Sequence, residues 1–86
     1  MICKTVTRDN IRSLKVGQIG IFTLPNFKAK ETARVQFSTV KRLEEGRIDF
    51  ERVEEEELRN TLGHDFDTLI PDWSLTVAYR CIKNEL

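Results

Sequence analysis

Proline and glycine are scarce in this chain, two and four residues among 86. That scarcity excludes collagen-like, low-complexity and linker-rich architectures. Histidine occurs once, at His64, so any imidazole-based catalysis would hang on a single residue. Cysteine occurs twice, as Cys3 and Cys81, and neither belongs to a C-x-x-C pair. Zinc-ribbon and thioredoxin-type readings therefore lack their ligands, and the two thiols read as reduced, structural cysteines. No apolar run approaches the roughly 18 to 20 residues that span a bilayer. The opening MICKTVTRDN also lacks the apolar core of a signal peptide, so the expected location is the cytoplasm.

What the chain does have is a globular composition, 40 % hydrophobic and 33 % charged. One domain over residues 1 to 86 is expected, because a chain this short buries only about 60 to 65 % of its unfolded surface and seldom divides. A deep substrate cavity is not expected for the same reason. The net charge is zero, yet its distribution is uneven. Residues 1 to 47 carry ten Lys or Arg against four acids, and residues 48 to 86 carry four against ten. Such a split allows one electropositive and one electronegative side, the first suited to phosphates and the second to a basic partner or another copy of the chain.

The periodicities predict an α+β fold. In TRDNIRSLKVG, Thr7 is placed to cap a short helix whose Ile11 and Leu14 share a face. QIGIFTLP reads as a strand over residues 18 to 24, apolar on both faces and hence central or covered from two sides. A principal helix follows, with Asn26 as its N-cap and Gly46 as the left-handed C′ residue that ends it. At about 100° per residue, Ala29, Ala33, Phe37, Val40 and Leu43 fall in one arc, the expected core face. RIDFERV and SLTVAYRCIK alternate as strands and are expected to pair antiparallel. Between them EEEELRNTL reads as an inserted helix, and HDFDTLIPDW as a loop whose apolar residues cover the sheet edge. The expected architecture is a small two-layer sandwich, a three-stranded, mainly antiparallel sheet packed under one principal helix.

Little in the sequence carries catalytic chemistry. GQIG offers two glycines inside a strand, which is no phosphate-binding loop. His64, Asp65, Asp67 and Asp72 match neither calcium-loop nor zinc-pair spacing and read as turn-forming residues. No nucleophile motif brings Cys81 to His64. Neither metal nor cofactor is expected, and no enzymatic activity.

The principal helix is more informative. Lys30, Arg34 and Lys41 line one flank, Ser38 follows them, and residues 28 to 42 hold five cations against the single acid Glu31. Phosphate contacts would fall to Lys28, Lys30, Arg34, Ser38, Lys41 and Arg42. Pairs of Glu31 with Arg34, Lys41 with Glu44 or Glu45, and Arg42 with Glu45 would neutralise part of that charge. Aromatic Phe66 and Trp73, with Ile70 between them, supply an alternative, a patch for a protein partner.

The string LPNFKAKETARVQFSTVKRLEEGRIDFERV, followed by LTVAYRCIK, resembles a group of small proteins from bacterial prophage and conjugative elements. Ala29, Ala33, Arg34, Ser38, Lys41 and Gly46 carry the likeness, which covers about 60 residues and departs at the acidic 54 to 74 insertion. The resemblance implies a strand, helix, hairpin domain that contacts nucleic acid. The expected function is thus a small accessory protein gripping phosphates through residues 28 to 42 with little sequence specificity. The alternative is a protein-interaction module or homodimer using the charge split or the 64 to 74 loop.

Overall fold

The structure is a computed structural model that describes residues 2–86, the side chains of residues 27–30 excepted. Four strands form one sheet: β1 (Cys3–Thr5), β2 (Ile19–Thr23), β3 (Ile48–Arg52) and β4 (Thr76–Asn84), in the order β1-β2-β4-β3. β1 runs parallel to β2, with Cys3 beside Ile19 and Thr5 beside Ile21. β4 pairs antiparallel with β2 on one side and with β3 on the other, where a bulge lies between Asp49 and Phe50. The sheet is therefore mixed and four-stranded, one strand more than the sequence patterns predict. Three residues of β1 are too few to show an alternation, and their pairing with β2 is a tertiary event.

The helices are α1 (Phe27–Leu43), α2 (Glu55–Leu62) and a single turn, α3 (Phe66–Leu69). Strand alternation sends Ile19, Ile21 and Ala78 to one face, where they meet Leu58 of α2, Phe66 of α3 and Ile70. Val77, Tyr79 and Cys81 point to the other face, where they meet Ala33, Phe37 and Val40 of α1. The expectation of two layers is thus corrected to three, with α1 above the sheet and the 54 to 74 segment below it. A central strand that is apolar on both faces needs two covers. The insertion supplies the second rather than packing along an edge.

The segment between β1 and β2 closes the α1 side. Val6, Ile11 and Leu14 are buried there, around a 3-10 turn at Ile11–Ser13. Thr7 does not cap it; its own N–H donates to Asn10 Oδ1 at 2.7 Å, a side chain reaching back three residues. Gly20 of β2 lies beneath this segment, and a Cβ there would stand 2.9 Å from Leu14 Cδ1 and 3.0 Å from Val6 Cγ2. The close crossing of loop over strand requires that glycine.

α1 ends one residue earlier than the Gly46 cap implies. Gly46 N–H donates to the Lys41 carbonyl and Glu45 N–H to the Arg42 carbonyl, the paired bonds of a Schellman turn. Glu45, with φ 55°, holds the left-handed C′ position, and Gly46, with φ 76°, follows it as C″.

Candidate nucleic-acid interface

The α1 surface is built outward from its core stripe. Ala33, Phe37 and Val40 recur at i, i+4 and i+7 and are buried against the sheet. Phe37 anchors them: its ring stacks on Tyr79 at 4.2 Å and meets Phe50 and Phe22 edge-on at 5.1 and 6.2 Å. Leu43, expected on the same face, is 62 % exposed. It lies about 60° around the helix from Val40, at the last helical position, and so swings off the sheet. Ala29, Lys28 and Lys30 lie outside the residues whose side chains are described.

With the stripe fixed, Arg34, Ser38 and Lys41 occupy the flank facing β3. Ser38 and Lys41 border a shallow hollow of about 120 Å³ that also touches Phe50 and Tyr79. Lys41 does not pair with Glu44 or Glu45 but donates to Asp49 Oδ1 at 2.9 Å. That hydrogen bond, aided by the Phe50 N–H at 2.8 Å, holds the Asp49 carboxyl below its ordinary value. Glu44 is instead taken by Arg12 at 2.7 Å and Arg47 at 3.2 Å. The bond from Arg12 is the first cause of its lowered carboxyl pKa. Asp49 and Arg12, both distant in sequence, thus take the place of the expected pairing of Lys41 with Glu44 or Glu45. Arg34 does meet Glu31 as expected, at 3.5 Å, while its Nε is buried without a hydrogen-bond partner. Arg42 is exposed and makes no ion pair among the described residues.

These pairings leave the flank donors to spare. An ammonium has three N–H groups and a guanidinium five, so Lys41 and Arg34 each keep most of theirs after one carboxylate contact. Lys41 is 55 % exposed in its side chain, and a surface pair of this kind is worth well under about 1 kcal/mol, small enough to be traded for a phosphate.

The acids of residues 54 to 57 belong to the opposite face of the sheet. Glu55 pairs with Arg59 at 3.2 Å and Glu54 with Arg52 at 3.4 Å. Arg80 binds both Glu51 and Glu57. The sheet therefore stands between the acids of residues 54 to 57 and the cations of α1, whereas Asp49 of the same acidic half lies on the α1 side against Lys41.

The other candidate residues sort plainly. Phe66 and Ile70 are each 2 % exposed and form the second core, with Trp73 packed on them at 6.4 Å from the Phe66 ring. Arg59 covers the Phe66 ring from 4.1 Å. The 64 to 74 segment thus spends Phe66 and Ile70 on covering the sheet, and of the three residues named for the alternative partner patch only Trp73 is partly exposed. His64 is exposed between α2 and α3, whereas Cys81 is buried on the α1 side, so the two do not meet. Asp72 accepts the Ser74 N–H at 3.0 Å as a capping residue, and Asp67 faces Arg59 at 3.9 Å. Among the described residues no group of three His, Cys, Asp or Glu side chains is gathered to hold a metal. None of the described helices is long and apolar enough to cross a membrane.

One feature of the surface is absent from the sequence reading. A groove of about 350 Å³ runs between the 8 to 12 segment and the far flank of α1. Its signal was Val35, an aliphatic residue on the side of the helix turned away from the core stripe. The arginines on its rim come from a segment distant in sequence, which no helical pattern could bring to α1.

No protein-family model, curated protein or solved structure matches this chain.

Proposed function

We propose that this protein is a small cytoplasmic binding module, not a catalyst, that contacts nucleic-acid phosphates through α1 with little sequence preference. The observation that carries this reading is the separation of charge by the sheet, which keeps the acids of residues 54 to 57 away from the cations of α1. Arg34, Ser38, Lys41 and Arg42 are the contacts, with Lys28 and Lys30 continuing the same basic run toward the helix start. Phosphates are held by charge and hydroxyl donors, and a rigid helix docked by Phe37 presents both along one line. Sequence preference would be slight because contacts to phosphates fix position and carry no sequence information.

Changing Arg34, Lys41 and Arg42 together to Ala tests the reading. The variant is expected to keep its fold, Arg42 being exposed and unpaired among the described residues and Lys41 and Arg34 each giving up a surface ion pair worth at most about 1 kcal/mol, and to lose at least about tenfold in affinity for a labelled oligonucleotide. Unchanged affinity in a folded triple variant would refute it.

A further inference from the structure

The groove beside α1 lies on the flank opposite Arg34 and Lys41, about 170° around the helix, and its chemistry differs from theirs. Its floor exposes two aliphatic side chains, Val35 at 55 % and Leu43 at 62 %. Val35 and Leu43 are eight residues apart, hence about 12 Å along the axis. Gln36 lines the wall, and its Oε1 is buried without a hydrogen-bond partner. Arg8 and Arg12 form the facing rim, with Asp9 between them. Arg12 spends its Nε on Glu44, leaving its terminal nitrogens without a partner among the described residues. Arg8 makes no ion pair among them, and Arg42 stands next to Leu43 on the outer side of the helix.

We propose that this groove binds an extended acidic peptide segment with aliphatic side chains, presented by a partner protein. The spacing suits an extended chain: alternate residues share a face, and positions i and i+4 lie about 13 Å apart, close to the Val35 to Leu43 separation. Two aliphatic side chains of the segment cover Val35 and Leu43. The carboxylates stand at the alternate positions turned out of the groove, where Arg8 and the terminal nitrogens of Arg12 reach them from the rim, and charge-assisted bonds are stronger than neutral ones. Duplex nucleic acid fits less well, since it would bury neither aliphatic side chain.

The test is a titration of ¹⁵N-labelled protein with a blocked eight-residue peptide of alternating Glu and Leu, followed by backbone and side-chain amide shifts. The expected shifts gather on the 8 to 12 segment, on Val35, Thr39 and Leu43, and on the Gln36 side-chain amide. Val35→Glu and Arg8→Glu, both at exposed positions, should each weaken binding at least about tenfold while leaving the remaining spectrum in place. Absence of shifts at about 2 mM peptide overturns the proposal, because even millimolar binding would be visible there. Equal shifts from a poly-glutamate of the same length also overturn it, by showing a charge patch indifferent to aliphatic groups. So does peptide displacement by an oligonucleotide that shifts the same groove amides.

Discussion

Replacing Phe37 by Ala removes the side chain through which α1 is fastened to the sheet. Phe37 is 2 % exposed and touches three aromatic rings, Tyr79, Phe50 and Phe22, from three different strands. A buried Phe→Ala change costs about 3 to 5 kcal/mol, and loss of the stacked and edge-on pairs places this one at the upper end. A chain of 86 residues has a total stability of about 4 to 13 kcal/mol, so the substitution removes a large share of it. Urea denaturation followed by circular dichroism reads the effect. With a slope near 1 kcal/mol/M, the midpoint should fall by about 3 to 5 M, or the variant should be unfolded in buffer. Val35→Ala, on the exposed side of the same helix, should move the midpoint by no more than about 0.5 M. A Phe37→Ala loss below about 1.5 kcal/mol would refute the reasoning, because α1 would then not be held by this contact.

Other parts of the structure make independent predictions. Glu45→Gly places the preferred residue at the left-handed C′ position and should stabilise the protein by about 0.5 to 1 kcal/mol in thermal melts, whereas Gly46→Ala should destabilise it by about 1 to 2. Asp49 and Glu44 have lowered carboxyl pKa values in the fold, so the stability they contribute is present above the ordinary carboxylate range and is lost as pH falls through their folded values. Urea midpoints measured from pH 6 down to about 3 should therefore decline, and Asp49→Asn should flatten part of that decline. The thiols of Cys3 and Cys81 are buried, and burial raises both pKa values. Their reaction with a disulfide reagent at pH 8 should be slow in the native protein and should accelerate with urea in step with unfolding.

Much of the fold was legible because local patterns and tertiary packing agree. The alternation in SLTVAYRCIK names the two faces of β4 correctly, and Ile48 with Phe50 marks the inner face of β3. The apolar residues on both sides of QIGIFTLP left open a central position or cover from two sides, and β2 has both. What escaped was long-range. β1 is too short to show a period, and its place beside β2 depends on residues 6 to 18 folding back across Gly20. The acidic insertion resembled edge cover because its helix is short, yet Leu58, Phe66 and Ile70 together close a whole face.

The candidate interface was legible only in outline. The order of cations along α1 follows from helical geometry, but their partners do not. Asp49 outcompetes Glu44 and Glu45 for Lys41 because β3 brings a carboxylate alongside the helix flank, and Glu44 is drawn to Arg12, 32 residues away. The groove has the same origin, since its rim and its floor come from segments joined only by the fold.

The most direct test of the phosphate-binding account is the salt dependence of oligonucleotide affinity, read by fluorescence anisotropy with labelled duplex DNA, single-stranded DNA and RNA at about 50 and 200 mM salt. Three phosphate contacts on a duplex give a slope near −2.7 in log K against log salt, hence about a 40-fold loss over that range. The account predicts a loss of at least that order, and a slope shallower by about 2.7 in the Arg34, Lys41 and Arg42 triple alanine variant, which keeps Lys28 and Lys30. No binding at 50 mM salt with about 50 μM protein, or binding indifferent to salt, would contradict it.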